Sequence, residues 1–176
     1  MIDIDADEAY RNQVKANYEF VTWAGHTREG TPDVRLRDLR IGSEQIEKWK
    51  LEEAEELQTV RERRELRYIY VSRESDGRRR LILTMLECNS VLDAHESLID
   101  VVMTYMAPRL PRCETNGLEI GDICFGSHGD VNLSVIFARF NILVETKNAG
   151  TEPTSVDEFA RAVDGIIYSY YRKNPG

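Results

Sequence analysis

Three histidines, three cysteines and a few clustered carboxylates are the groups in this chain whose chemistry could amount to an activity. Asp93, His95 and Glu96 stand together in the stretch DAHE, and a histidine beside carboxylates is the composition of a general base or a metal ligand. Helical geometry separates them. At 100° per residue His95 falls with Val91, Leu98 and Val102 on the apolar side, while Asp93 and Glu96 point away, so a buried, hydrogen-bonded histidine is the favoured reading. Cys124 and His128, with Cys113 upstream, have the types of three zinc ligands, but there is no CxxC pair and no fourth ligand at a diagnostic distance. Reduced thiols are expected for all three cysteines, with a Cys113 to Cys124 bridge as the alternative. His26 sits in a glycine-rich loop with nothing specific beside it.

Nucleophilic and nucleotide chemistry lack their signatures. There is no GxSxG, and Gly126-Ser127-His128-Gly129 reads as a turn of small residues. Neither GxGxxG nor a Walker-type loop occurs. No cofactor or metal is therefore expected. Arg139, Asn141 and Glu145 project from the less apolar side of a long strand, where they could hold an anion or a carboxylate; a salt bridge to a neighbouring strand is the favoured role for the arginine. These three are the candidate ligand-binding residues. Arg61, Arg63, Arg64, Arg67 and Arg78 to Arg80 suggest a phosphate- or RNA-binding face, which the net charge of -8 disfavours, since such binding needs excess Lys and Arg.

The strand that would carry the candidate residues is Val131 to Glu145. Ile136, Ala138, Phe140, Ile142 and Val144 form one wholly apolar alternating set, and Val135, Phe137, Arg139, Asn141, Leu143 and Glu145 form a mixed one. Five β-branched residues and Asn148-Ala-Gly150 favour a strand ending in a turn over a helix. The apolar set is expected beneath helices, and the mixed set opposite them.

The other elements follow from their punctuation. Residues 5–23 predict an amphipathic helix with Asp5 and Glu8 in capping-box spacing and Tyr10, Val14, Tyr18 and Val21 on one stripe. Residues 34–41 alternate apolar residues with arginines, as a short edge strand does. Residues 43–58 carry six glutamates against two lysines and read as an acidic helix, followed at 61–80 by eight arginines against four acids, so the two stretches are expected to neighbour each other. Residues 67–73 and 79–88 form a hairpin about Asp76-Gly77 with Tyr70 opposite Leu83 and Ile69 opposite Thr84. A helix over 90–107 is opened by Ser90 and stopped by Pro108. A short strand spans 120–126, and a helix over 156–172 carries Ser155 and Glu158 in capping-box spacing.

A chain of 176 residues with 41% hydrophobic and 31% charged residues can bury a core without metal or disulfide staples. The expected architecture is α+β: an N-terminal helical extension over 1–24, then one domain over 25–176 whose antiparallel sheet carries two helices on one face, in the order β-β-α-β-β-α from residue 67. No run of about 18 apolar residues marks a transmembrane helix. The start MIDIDADEAY lacks a leader's basic and apolar regions, although an exported protein without its leader would look the same.

Gly121-Asp122, Phe137-Ala-Arg-Phe-Asn141 with Ile-Leu-Val-Glu145, and Phe159-Ala-Arg-Ala-Val-Asp164 together resemble a loose set of uncharacterised, often exported bacterial proteins with a GD, an FxRxN strand and an AxxxD-type helix. The resemblance spans about residues 118–167. That set often carries Gly before the Asn where this chain has Phe140. It implies a fold and an extracytoplasmic setting, not an activity. The function expected is a non-enzymatic binding or assembly module meeting a protein partner or a second copy through its open sheet face or N-terminal helix, with no nucleic-acid partner. The rival is a small hydrolase or ligand-binding enzyme using His95 or His128.

Overall fold

The computed structural model describes residues 4–25, 34–39, 41–42, 46–58, 63–105 and 109–174. The expected loop containing His26, the start of the acidic segment at 43–45, Arg61 and the helix stop at Pro108 lie outside them. The described chain is α+β, a six-stranded antiparallel sheet with three helices. In chain order the elements are α1 (Ile4–Asn17), β1 (Trp49–Gln58), β2 (Arg64–Ser72), β3 (Arg80–Glu87), α2 (Val91–Thr104), β4 (Ile123–Gly126), β5 (Ser134–Arg139), β6 (Ile142–Asn148) and α3 (Asp157–Lys173). Across the sheet the strands run β1-β2-β3-β6-β5-β4. No helix among the described residues is long and apolar enough to cross a membrane.

The helices do not share a face. Val135 and Phe137 of β5 pack with Phe159, Val163 and Ile167 of α3, whereas Ile136 and Ala138 pack with Ala94, Leu98 and Val102 of α2. Alternate residues of one strand thus feed two cores on opposite sides of the sheet, correcting the expectation of both helices on one side. The residues of β5 are apolar in both alternating sets because both sets are covered. The acidic segment is also corrected: it is no helix where it is described but the edge strand β1, paired antiparallel with β2. Its glutamates are helix formers, yet the arginines across the ladder and exposure at the sheet edge suit them better. Arg64 meets Glu56 at 2.9 Å, and Arg80 of β3 meets Glu52 at 3.2 Å, so the acidic and basic stretches do lie together.

The expected edge strand at 34–41 is no strand where it is described, over 34–39 and at 41. The described residues hold a 3-10 turn at Leu36–Asp38, and Val34, Leu36, Leu39 and Ile41 insert into the core on the α3 side. Their alternation reflects burial without pairing. The β2–β3 hairpin forms with Tyr68 opposite Leu83, Tyr70 opposite Leu81 and Ile69 opposite Ile82, two residues from the expected pairing. A shift of two preserves the face of every side chain, so the tyrosines still join the buried face. The connection is longer than a tight turn because the amide of Ser72 already bonds Arg79.

Ser90 caps α2 by accepting the Asp93 amide at 3.0 Å. At α3, Ser155 accepts the amide of Asp157. The N-terminal segment is part of the second core: Val14, Tyr18, Phe20 and Trp23 are buried against α2, β4 and β5, while Tyr10 and Val21 of the expected stripe face solvent. A boundary at residue 24 therefore divides one core. Arg11 and Lys15 fasten α1 to α2 through Glu96, with Arg11 also reaching Asp100.

Removing the Trp23 side chain empties a site enclosed by Phe20, Phe125 and His95, and Trp23→Ala is expected to cost about 3 to 5 kcal/mol in urea unfolding. Burial pushes the Glu96 carboxyl up, but the hydrogen bonds from Arg11 and Lys15 outweigh it and hold the group below its ordinary value of 4.5. A value depressed by folding means a stabilisation complete above the ordinary value and lost as pH falls below it. The urea midpoint is therefore expected to fall further between about pH 5 and about pH 3 in the native protein than in Glu96→Gln.

Candidate functional site

The three candidate ligand-binding residues sit on or beside the β5–β6 hairpin, and the turn between those strands decides where each points. Arg139 pairs with Ile142, so Phe140 and Asn141 make a two-residue turn, with Phe140 at φ 57° in the left-handed region. Because of this turn the expected single strand is two, and its alternation does not carry through. Val135, Phe137 and Arg139 face α3, and after the turn so do Ile142 and Val144; Ile136, Ala138 and Leu143 face α2. Ile142 and Val144 thus lie opposite Ile136 and Ala138, correcting the expectation that all four share a side. Arg139 and Glu145 end on opposite faces.

Each candidate is bonded within the chain. Arg139 makes a two-pronged contact with Asp164 of α3 at 2.7 and 2.8 Å and reaches Asp122 at 3.3 Å, leaving its side chain 18% exposed. Its guanidinium lies over the rings of Phe140 and Tyr168. Asp122 also accepts the Phe140 amide at 2.7 Å, which holds the turn. Gly121 approaches the chain so closely that a Cβ would stand 2.6 Å from the Ala138 carbonyl, and its φ of 69° suits glycine. Asn141 is buried: it accepts the Val34 amide and donates to the carbonyls of Val34 and Cys88. Glu145 accepts from Tyr105 and Lys147 on the α2 side. Burial and this hydrogen bond push the Tyr105 hydroxyl up to about 12.

The residues quoted for the bacterial resemblance, Gly121, Asp122, Arg139, Asn141 and Asp164, therefore converge on one turn. No signal in the spacing of the sequence marks this convergence, because the partners come from four separate elements.

The histidines and cysteines are dispersed. His95 is wholly buried, edge-on to Trp23 at 5.4 Å between ring centroids. His128 is exposed and lines an open depression of about 370 Å³ with Glu19, Arg109 and Arg112, where Glu19 is already paired with Arg112 at 3.2 Å. Ser127 accepts the Leu133 amide and closes the β4–β5 connection. Cys113 and Cys124 are joined in a disulfide with Cα atoms 5.4 Å apart, which withdraws both sulfurs from metal ligation and replaces the expected reduced pair. Cys88 is the remaining thiol, and burial pushes it up to about 11. Among the described residues no group of three His, Cys, Asp or Glu could hold a metal ion. Four arginines of the suggested phosphate face are engaged within the chain: Arg63 with Asp93 and Ser97, Arg64 with Glu56, Arg79 with Glu152 and Arg80 with Glu52.

The uncommitted feature is a surface. The α2-side core takes its buried sheet residues from β4, β5 and β6, and beyond them the same face of β2 and β3 leaves Ile69, Val71 and Ile82 half-buried. A shallow groove of about 220 Å³ runs there between Arg67, Ile82, Thr84, Glu145 and Lys147. Comparison with family models, with curated proteins and with solved structures finds no match to this chain.

Asp164→Ala strips Arg139 of its main partner in a largely covered site and is expected to lower stability by about 3 kcal/mol, with a coupling above about 1 kcal/mol in the cycle with Arg139→Ala. Phe140→Gly relieves about 1 to 2 kcal/mol of left-handed strain. It also removes a ring packed 4.4 Å from Tyr171 and stacked on Tyr168, a loss of about 3 to 5 kcal/mol. The packing wins, and calorimetry is expected to find the glycine variant less stable by about 2 kcal/mol.

Proposed function

We propose that the protein is a non-enzymatic binding or assembly module that meets a protein partner through the uncovered face and edge of β1–β3. The observation that carries this reading is the half-covered sheet. On the α3 side every strand contributes to a buried core, while on the other side α1 and α2 cover β4, β5 and β6 and leave Ile69, Val71 and Ile82 partly open. An apolar strip rimmed by Arg67, Arg80, Glu145 and Lys147 has the make-up of a contact surface, with apolar atoms at the centre and charge at the rim.

The side chains with catalytic potential support the same reading by being used elsewhere. His95 is enclosed by aromatic rings, Ser127 closes a backbone turn, Asn141 ties the segment at Val34 to the end of β3, Arg139 fastens the sheet to α3, and Glu145 holds Tyr105 just after α2. The rival enzyme reading needs a histidine and a carboxylate converging on a concave site. His128, on an exposed turn beside an already paired Glu19, offers it little support. The buried Cys113–Cys124 disulfide fits the extracytoplasmic setting that the bacterial resemblance implies, since such bonds persist in oxidising compartments.

Replacing Ile82 or Val71 by a photoreactive amino acid, in the cells that make the protein, is expected to yield a discrete crosslinked protein adduct on irradiation. The same substitution at Leu92, an exposed apolar position on α2, serves as the control. Adducts of equal yield at all three positions, or none at Ile82 and Val71, overturn the reading. Light scattering of the native protein and the adduct's mass decide whether the partner is a second copy or a different protein.

A further inference from the structure

We infer that the edge of β1 receives an extended, basic segment of a partner protein, which adds to the sheet as a seventh strand. This rests on the binding-module reading and names the partner's chemistry.

The two edges of the sheet are treated differently. Beyond β4 the chain covers its own edge: Arg112 bridges to Phe125, and the Gly126 amide bonds the Pro111 carbonyl. Beyond β1 no strand lies among the described residues. The hydrogen-bond parity shows which groups are left over. The Arg73 amide bonds the Lys48 carbonyl, so the β2 residues of that parity, Val71, Ile69 and Arg67, bond to their β1 partners Lys50, Glu53 and Glu55. Between them, Ala54 and Glu56 turn their amides and carbonyls away from the sheet, and both residues are exposed. Such a row is a template for a further strand.

The side chains choose among the strands that could add. Glu52 and Glu56 already meet Arg80 and Arg64, whereas Glu53 and Glu55 are exposed on the open side of β1 with Lys50. Two copies meeting edge to edge would bring the Glu53 and Glu55 pairs of both chains together, so self-pairing is opposed by like charge. The register shift between Leu51 and Glu53 adds a second guard against regular edge-to-edge stacking. A guard of this sign excludes acidic and like strands, yet it complements a basic one. The two sides of the edge also differ. Glu53 and Glu55 share the open face with Ile69 and Val71, whereas Leu51 and Ala54 lie on the α3 face with Tyr70 and Tyr68. An added strand with basic residues on the first side and small apolar ones on the second satisfies both.

The test uses the full chain and synthetic ten-residue peptides read by fluorescence anisotropy at low and high salt. A peptide alternating Lys and Val is expected to bind, with affinity falling as salt rises. One alternating Glu and Val is expected to bind at least tenfold more weakly. A peptide of the same Lys and Val content in two blocks is expected to lose at least fivefold, since it cannot keep one residue type on one side. Ala54→Pro removes an outward amide without removing a bond to β2 and is expected to weaken the Lys-Val peptide at least tenfold. The Glu53→Lys, Glu55→Lys double variant leaves the backbone untouched and is expected to reverse the preference between the Lys-Val and Glu-Val peptides, which decides the matter if Ala54→Pro fails to fold. Equal binding of block and alternating peptides, or an unchanged preference in the double variant, overturns the inference. If crosslinks at Ile82 persist while no peptide binds, the edge inference alone falls and the binding-module reading stands.

Discussion

The structure depends on one guanidinium. Arg139 lies at the end of β5, four-fifths covered, with Asp164 of α3 before it and Asp122 beside it. Two carboxylates are needed because a charge taken out of water is costly unless its donors are satisfied in good geometry. A hydrophobic residue of similar size could give comparable stability there. What an apolar residue cannot give is direction: the planar, two-pronged contact ties α3 to the end of β5 through two fixed donors, and Asp122 gives its other oxygen to the Phe140 amide. The same ion cluster therefore places a helix and shapes a turn.

From that turn the rest of the sheet takes its register. Placing Phe140 at positive φ sends the chain back after two residues, and β6 then pairs with β3 on its other side. The hairpin fastens a different part of the molecule with each polar side chain. Arg139 holds α3, Asn141 holds the segment at Val34 together with the end of β3, and Glu145 holds Tyr105 just after α2. Three residues that read in sequence as a row on one face are three ties to three neighbours. Polar groups placed in a sheet centre are used to specify arrangement, since each must find its partner or be left unsatisfied at a cost of about 1 to 3 kcal/mol.

How much of this was legible depends on whether the information was local. The Ser90 cap and the apolar stripe of α3 are read directly, because capping and helical period involve residues a few positions apart. The faces of the β2–β3 hairpin are legible but not its register, since alternation is blind to a shift of two. β1 was hidden because an edge strand with solvent on both sides of its middle shows no alternation, and its Glu-rich composition mimics a helix. The split of the long strand was hidden by Phe140, a bulky residue where glycine or asparagine ordinarily signals positive φ. The turn is stabilised from outside by Asp122 and by rings from α3, which no window around residue 140 contains. The disulfide was undetermined for a similar reason: eleven residues of separation are compatible with many folds, and only the isolated bridge of Arg112 to Phe125 brings the two cysteines into range.

A half-covered sheet raises the question of why its bare part does not simply aggregate. Ile69, Val71 and Ile82 are only partly exposed, with Arg80 opposite Val71, Lys147 opposite Ile82, and Arg67 two residues before Ile69 on β2. Long basic side chains can lay their methylenes along apolar surface while the charge stays in water. Their charges stay engaged at the rim, Arg80 with Glu52 and Lys147 with Glu145, so the cover holds no buried bond. The Glu-rich edge of β1 acts on the same surface from the side by opposing another copy of itself. Stability in the α3-side core, and restraint rather than closure at the open strands, let this part of the sheet stay half-covered without losing its order.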